Sequence, residues 1–202
     1  MSTPTRRRPG EAREAIVVAA RDAFARHGYQ GTTLRMVAKQ AEVNEALIFR
    51  NFGSKEQLFT ETVVDPFRTF VDELLHRWQH RETPLDNRAL VELFVGDLYD
   101  FAREHREIFF ALANAEHFGG TDGLTGALAA QVQRIVQASV AESGTRGLDF
   151  ADFEIVVPGV MAMIFGAVLF DPWLFPASGK RPPDADIRRW MAEHAYRAID
   201  RD

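Results

Sequence analysis

Residue types that can read the edges of DNA bases are grouped in one short stretch of the sequence, residues 44–51. Glu45 can accept a hydrogen bond from the amino group of cytosine, and Asn51 can form two hydrogen bonds with adenine. Ala46 and Leu47 can contact the methyl group of thymine. For Asn51 a contact with phosphate is an equal alternative, and the carboxylate of Glu45 would be repelled by phosphate. The stretch therefore indicates contact with duplex DNA if one helix presents these side chains together.

Positive charge is concentrated in the same part of the chain. Residues 1–55 carry ten Lys and Arg against five Asp and Glu, whereas residues 56–202 carry fourteen against twenty-four. Residues 1–55, called the head below, are thus basic, whereas residues 56–202, called the body, are acidic. This distribution favours contact of the head alone with a polyanion, although a disordered arginine tail would also give the head an excess of positive charge. Arg50 is expected on the exposed side of a helix, and Lys55 at a helix N-terminus that favours an anion.

Three short helices are predicted to position these side chains. The first covers residues 11–27, because its apolar residues recur with a 3.6-residue period, and Gly28 ends it. Thr33 and Asn44 can each cap a following helix. Gly53 ends the third helix, and Ser54 opens a fourth with a capping box.

The second and third helices, separated by residues 42–44, form a helix-turn-helix pattern with the first helix packed beneath them. In this motif the last helix enters the major groove and its first residues reach the base edges. Apolar residues including Val37, Ala38 and Ile48 are expected to fix the angle between the pair. We predict a DNA-binding domain over residues 11–55, after a basic, disordered tail over residues 1–10 whose arginines could alternatively enter a minor groove.

Residues 28–59 resemble the DNA-binding segment of the TetR family of transcriptional regulators, without a gap. Two positions depart from the family pattern. The family usually has Gly where Glu42 stands, and often has Tyr, which donates to a phosphate, where Phe49 stands. The matching residues are Tyr29, Thr32–Thr33, Val37–Ala38, Val43–Asn44, Ile48–Phe49, Phe52 and Ser54–Lys55–Glu56.

The resemblance implies a particular set of DNA-facing residues. It places Thr33 and Arg35 at the start of the second helix, where members of the family contact bases or phosphates. A solvated arginine is the alternative for Arg35, and packing in the small core is the alternative for Phe49. The full set of predicted DNA-binding residues is Thr33, Arg35, Glu45, Ala46, Leu47, Phe49, Arg50, Asn51 and Lys55.

The remainder of the chain, residues 56–202, is predicted to form a larger helical domain, so that the fold is all-α with about nine helices in total. The helices are expected over residues 55–80, 86–104, 106–114, 122–143, from Asp149 through an apolar stretch, and 184–200. The apolar stretch Ile155–Phe170 has 16 residues, fewer than a membrane-spanning helix needs, and is interpreted as a buried helix. No membrane contact is therefore expected.

The resemblance also implies that this helical domain binds a small molecule and forms a homodimer. Aromatic residues are abundant in it, and most of them are expected to fill an ordinary core. The expected ligand-binding residues are Trp78, Phe94, Phe101, Phe110, His117, Met161 and Phe165.

Two helices are expected at the dimer interface, as in the four-helix bundle of the family. Residues 187–198 carry a continuous apolar stripe, and Ala162 and Gly166 would let another helix approach closely. The alternative is that both stripes face the protomer's own core. The expected interface residues are Ala162, Gly166, Ile187, Trp190, Met191 and His194.

Several functional classes are disfavoured by the composition. The sequence has no cysteine, so disulfides, thiolate metal sites and cysteine nucleophiles are excluded. His76 and His80 have a spacing that can bind a metal, but no third ligand is evident, and neither a metal nor another cofactor is expected. No catalytic motif is present. We therefore expect a cytoplasmic, homodimeric repressor, not an enzyme, that an apolar or amphipathic ligand releases from a palindromic operator; the alternative is a regulator whose body only dimerises or binds a protein partner.

Overall fold

The computed structural model describes residues 9–81, 85–117, 122–146, 152–176 and 179–199. All regular elements in these ranges are helical, which agrees with the predicted all-α fold. They are α1 (Pro9–Gly31), α2 (Leu34–Gln40), α3 (Glu45–Phe52), α4 (Lys55–Phe59), a π-helical turn (Thr60–Val64), α5 (Asp65–Gln79), α6 (Asn87–Glu104), α7 (Arg106–His117), α8 (Asp122–Thr145), α9 (Phe153–Leu169), α10 (Asp171–Leu174) and α11 (Asp184–Ile199).

Side-chain caps fix where the three short helices after α1 begin. Thr33 Oγ1 accepts from the backbone N–H of Met36 at 3.2 Å, and Asn44 Oδ1 accepts from that of Leu47 at 2.8 Å. Ser54 Oγ accepts from the N–H of Gln57 at 3.0 Å. These bonds satisfy donors that the first turn of a helix leaves without a partner. The three predicted N-caps are therefore confirmed.

Glycines stand where α1 and α3 were predicted to end. Gly28 lies inside α1 with φ 67° and ψ 177°, which breaks the helical path before Gly31. Gly53 has φ 77° and donates to the carbonyl of Phe49 at 2.8 Å. Positive φ is accessible to glycine because it has no Cβ.

The turn between α2 and α3 contains a strained residue. Glu42 has φ 54°, the one positive φ at a non-glycine among the described residues. The left-handed conformation costs an L-residue about 1–2 kcal/mol. This is the position at which the family usually has glycine, so the departure noted in the sequence has a direct conformational consequence.

Pro66 explains the π-helical turn, which the sequence analysis did not anticipate. Proline has no N–H and its ring clashes with the carbonyl four residues earlier, here the carbonyl of Thr62. That carbonyl accepts a hydrogen bond from Arg21 Nε of α1 at 2.9 Å. Arg13 of α1 also forms an ion pair with Glu61 at 2.5 Å. The first helix thus contacts the widened turn at two points.

The described chain divides into two compact units. The first comprises residues 9–67 together with residues 107–127, apart from the gap at 118–121. An aromatic cluster lies in its core, where Phe59 meets Phe24 and Tyr29 edge to face at centroid distances of 4.9 and 5.2 Å. Its other fully buried residues include Ile16, Val37 and Ile48, so α1, α2, α3 and α4 share one small core.

The second unit comprises the described residues of 68–106 and 128–199 and is built on α6, α9 and α11, which pack on one another. Asp184, at the start of α11, accepts hydrogen bonds from Tyr99 Oη and Arg181 Nη2, both at 2.6 Å. Burial and the contact with Asp184 raise the pKa of Tyr99 to about 12. Arg181 also donates to Asp171 at 2.8 Å, so one polar cluster joins α6, α10 and α11.

The prediction of about nine helices agrees with the structure. The predicted helix over residues 55–80 is observed as α4, the π-helical turn and α5 in direct succession, and the short helix α10 is added within the proline-rich connection. Most other ends lie close to those predicted. The expected start of the apolar helix at Asp149 and the tail arginines Arg6–Arg8 lie outside the described residues. None of the described helices is long and apolar enough to cross a membrane.

We predict that Glu42→Gly stabilises the protein. The variant removes left-handed strain of about 1–2 kcal/mol, while the greater freedom of glycine in the unfolded chain costs about 0.5–1 kcal/mol. The free energy of unfolding should rise by about 0.5–1 kcal/mol, measured by urea denaturation. Glu45→Gly, at a position inside α3, is the control and should destabilise; a loss of stability in Glu42→Gly would contradict the conformational explanation.

We also predict that Arg21 and Pro66 are energetically coupled. Arg21→Leu removes the donor to the Thr62 carbonyl and should cost about 1–3 kcal/mol. In a Pro66→Ala background the new backbone N–H can donate to that carbonyl, so the same change should cost less. A double-mutant cycle of unfolding free energies measures the difference, and additive effects would show that Arg21 stabilises the head in another way.

Candidate nucleic-acid interface and effector cavity

Helix α3 has one buried side and one exposed side. Ile48 and Phe52 are 1% and 3% exposed and anchor the helix in the head. Glu45, Ala46, Arg50 and Asn51 are exposed, Leu47 is half-buried, and Phe49 is 50% exposed. The structure therefore brings the predicted base-reading residues together on an accessible surface.

Two of these exposed residues have specific consequences for recognition. Phe49 is not a residue of the head's core, and its ring can offer DNA an apolar contact but no hydrogen bond. Asn51 Nδ2 donates to the carbonyl of Leu47 at 2.7 Å. Since an amide nitrogen has two hydrogens, Asn51 keeps one N–H donor for a base or a phosphate, and its oxygen can accept a hydrogen bond from a base.

The start of α2 adds a second contact region. Thr33, as the N-cap, and Arg35, in the first turn, are both exposed. The N-termini of α2 and α3 each carry backbone N–H groups and a positive dipole end that attract phosphate. Arg35 adds a full positive charge beside one of them.

Lys55 is more constrained than a surface lysine. Its ammonium lies 4.5 Å from the centroid of the Tyr29 ring and donates to the carbonyl of Gln30 at 3.4 Å. Partial burial lowers the pKa of Lys55, and burial together with the nearby Glu56 raises the pKa of Tyr29. The sequence identified Lys55 through its place at the start of α4 and Tyr29 as a match to the family pattern, but it did not reveal that the Tyr29 ring contacts the Lys55 ammonium.

The second unit contains a cavity of about 70 Å³ among α5, α6, α8, α9 and α11. Two of the predicted ligand-binding residues, Trp78 and Phe94, line it. Phe101, Met161 and Phe165 are not among its lining residues; Phe101 instead stacks on Phe70 at 4.3 Å between centroids. Residues that the sequence analysis did not single out complete the wall: Asn87, Leu90, Val91, Ser139, Glu142, Ser143, Arg146, Phe153, Val156, Val157, Val160, Ala195 and Ile199.

Two further predicted ligand-binding residues lie on α7. Phe110 is half-buried and belongs to the first unit, whereas the cavity lies within the second. The side chain of His117 is outside what the structure describes, so its assignment remains a prediction.

A separate open groove of about 640 Å³ follows α9 and α11 and includes five of the six predicted interface residues. Trp190 is 55% exposed and Ala162 is exposed, but Ile187 and Met191 are 8% and 3% exposed. The apolar stripe on α11 is thus divided, with Ile187 and Met191 in the protomer's own core. His194 is exposed but does not line the groove.

Comparison with known proteins agrees with this arrangement. Residues 16–62 match the family of bacterial regulatory proteins called the tetR family. The HTH-type transcriptional repressor Rv3405c of Mycobacterium tuberculosis is 42% identical over 82 residues, which are 40% of this chain and 41% of that protein. The HTH-type transcriptional repressor AcnR of Corynebacterium efficiens is 41% identical over 59 residues, 29% of this chain and 31% of that protein. The chain therefore matches less than half the length of these curated relatives.

The likeness in fold extends over nearly the whole chain. A TetR-like transcriptional regulator from Rhodococcus sp. RHA1 superposes with a TM-score of 0.70 at 20% identity, covering 95% of this chain and 97% of that one. A helix-turn-helix is a DNA-binding motif. Residues 16–62 carry the DNA-binding segment of the tetR family, and the chain is similar to DNA-binding transcriptional regulators in that segment and in its overall fold. Its relatives are regulators and not enzymes, which confirms the non-enzymatic prediction.

We predict that Lys55→Ala weakens DNA binding uniformly across sequences. Each phosphate contact contributes about −0.9 to the slope of log K against log salt concentration, so loss of one contact should flatten the slope by about one unit. Fluorescence anisotropy with a labelled duplex at several salt concentrations measures it. Lys180→Ala removes the same charge from the second unit and is the control; an unchanged slope in Lys55→Ala would remove Lys55 from the phosphate contacts.

Proposed function

We propose that this protein is a homodimeric repressor that binds a palindromic DNA operator through α3 and is released by a small molecule. The observation that carries the proposal is the division of α3, in which Ile48 and Phe52 fix the helix while the residues suited to base contact stay accessible. Thr33, Arg35 and Lys55 supply the phosphate contacts that set the register of the helix in the groove. The functional DNA-binding domain then corresponds to residues 11–55.

We expect a dimer because the DNA-contacting surface of a single α3 is small. One helix of eight residues reads few base pairs, and two heads related by a two-fold axis read half-sites about 34–36 Å apart. We assign the interface to the groove along α9 and α11. Its walls are apolar and open, and outside its own helix backbone no described atom lies within 4 Å of the Cβ position at Gly166. A second copy of α9 can therefore approach closely there.

Ligand sensing is assigned to the cavity in the second unit. It is lined mainly by apolar side chains with a few polar groups at one end, the composition expected of a small-molecule site. A ligand weakens DNA binding only if it binds more tightly to a dimer whose heads are wrongly spaced for the operator. The coupling free energy between the ligand site and the DNA site is then typically about 1–3 kcal/mol. The consecutive helical segments α4, the π-helical turn and α5 begin in the first unit and end in the second. They are the covalent connection through which ligand binding would affect DNA binding.

The second candidate is a regulator that dimerises without sensing a small molecule. The modest volume of the cavity, about 70 Å³, favours this reading, because the pockets that bind small molecules usually have volumes of roughly 300–1,000 Å³. A thermal-shift screen with apolar compounds separates the two candidates.

Selection of bound DNA from a random duplex pool tests the proposed function itself. The expected result is a palindrome with half-sites one helical turn or a multiple apart, and Asn51→Ala should relax the preference at one position in each half-site. Recovery of no sequence preference at physiological salt, where non-specific phosphate binding is weak, would contradict the proposal.

We predict that Trp190→Glu splits the dimer without unfolding the protomer. Trp190 is 55% exposed in the single chain, so the change costs the protomer little, whereas an unpaired carboxylate in a buried interface costs several kcal/mol. Sedimentation velocity should show a monomer. Val140→Glu places a carboxylate on an exposed apolar position of α8 outside the groove and should leave the mass unchanged. A Trp190→Glu protein that remains dimeric would move the interface away from this groove.

A further inference from the structure

The first residue of α3 is an acid with which no described residue pairs. Glu45 follows the N-cap Asn44 and is exposed, and no described group forms a hydrogen bond or an ion pair with its carboxylate. Asp22 in α1, by contrast, accepts hydrogen bonds from Arg26 and Gln40, both at 2.7 Å. The carboxylate of Glu45 is therefore available to whatever α3 contacts.

Glu45 also has the one polar side chain in the first turn of α3. Residues 46–48 are alanine, leucine and isoleucine, and Asn44 commits its side-chain oxygen to the N–H of Leu47 at 2.8 Å. The first residues of a recognition helix are those that reach the base edges in the major groove. At its leading end, α3 thus offers the bases a carboxylate.

An ionised carboxylate accepts hydrogen bonds and cannot donate them, which restricts the partners that suit it. Phosphate oxygens are negatively charged acceptors and repel it. In the major groove guanine presents N7 and O6, and thymine presents O4, all of them acceptors, whereas adenine presents its amino group beside the acceptor N7. Cytosine presents its N4 amino group with no acceptor beside it on the same base. Of the four bases, cytosine is therefore the partner that suits Glu45.

We propose that Glu45 is a specificity-determining residue, which accepts a hydrogen bond from the N4 amino group of one cytosine in each operator half-site and disfavours guanine and thymine at that position. This assignment rests on the proposed function and specifies part of the sequence that the proposed DNA-binding site reads. Arg35 and Lys55 attract the backbone of every sequence alike. Glu45 instead separates one sequence from another and weakens binding to all DNA that lacks the cytosine.

Selection from a random duplex pool, with the full-length wild-type protein and two variants, tests the assignment. The wild type should recover cytosine at one position of each half-site. Glu45→Ala should lose the preference at that position and keep the others, because it removes only the acceptor. Glu45→Gln should select adenine there, since a glutamine amide can pair with both N6 and N7 of adenine. An acid in the first turn also stabilises a helix through its dipole, but a purely stabilising role would not change which base is selected.

Affinities for the recovered operator measure the same contact. Exchanging the C·G pair for G·C in one half-site should weaken wild-type binding about fivefold to hundredfold, and should weaken binding of Glu45→Ala much less. Replacing the cytosine with 2-pyrimidinone, which lacks the amino group, should likewise cost the wild type more than Glu45→Ala. Glu56→Gln removes the same charge from an exposed position of α4 and is the matched control. It should change the affinity for all duplexes alike and keep the preference for cytosine.

Three results would each overturn the role of Glu45 while leaving the proposed function intact. They are a palindrome whose Glu45-dependent position is not cytosine, a Glu45→Ala protein that selects the wild-type sequence, and an equal loss of affinity in wild type and Glu45→Ala when the amino group is removed. If Glu45→Ala does not fold, the wild-type and Glu45→Gln selections still decide, because the expected change from cytosine to adenine needs only those two proteins. A wild-type protein that recovers no palindrome would instead contradict the proposed function, and this assignment with it.

Discussion

The orientation of α3 depends on one backbone constraint, the left-handed conformation at Glu42. A turn of only a few residues must redirect the chain so that Asn44 can cap α3 while Ile48 and Phe52 reach the core shared with α1 and α2. A negative φ at residue 42 would give the chain a different direction after α2, so α3 would need another way to bring Ile48 and Phe52 into that core. The glutamate bears the strain because the surrounding packing determines the path of the chain.

Polar side chains set the boundaries of this small domain, and apolar ones hold it together. Thr33, Asn44 and Ser54 each fix the first residue of a helix, which determines the sides of α2, α3 and α4 that face the core. Phe24, Tyr29 and Phe59 then close the core around that register. A head of this size can bury little apolar surface, so each cap contributes a large share of its stability.

Local signals predicted the head better than the body. Caps and glycines act over a few residues, and the 3.6-residue period identifies a helix without knowledge of its neighbours. The cavity was different, because aromatic abundance does not tell which rings meet each other. Phe101 stacks on Phe70, whereas Ser139, Arg146 and Val157, which do not stand out in the sequence, line the space beside Trp78. The stripe on α11 likewise indicated burial but could not distinguish the protomer's own core from a partner.

The π-helical turn at Thr60–Val64 has a consequence for the exchange of domains between relatives. A single wider turn takes up one extra residue, which shifts the positions of the residues that follow it in the same helix by about 100° relative to an uninterrupted α-helix. A chimera joined before Thr60 to a relative without a proline at the position of Pro66 would therefore separate Arg21 and Arg13 from the Thr62 carbonyl and Glu61, which they contact here. A junction placed after Pro66 keeps the turn and these partners in the same parent sequence.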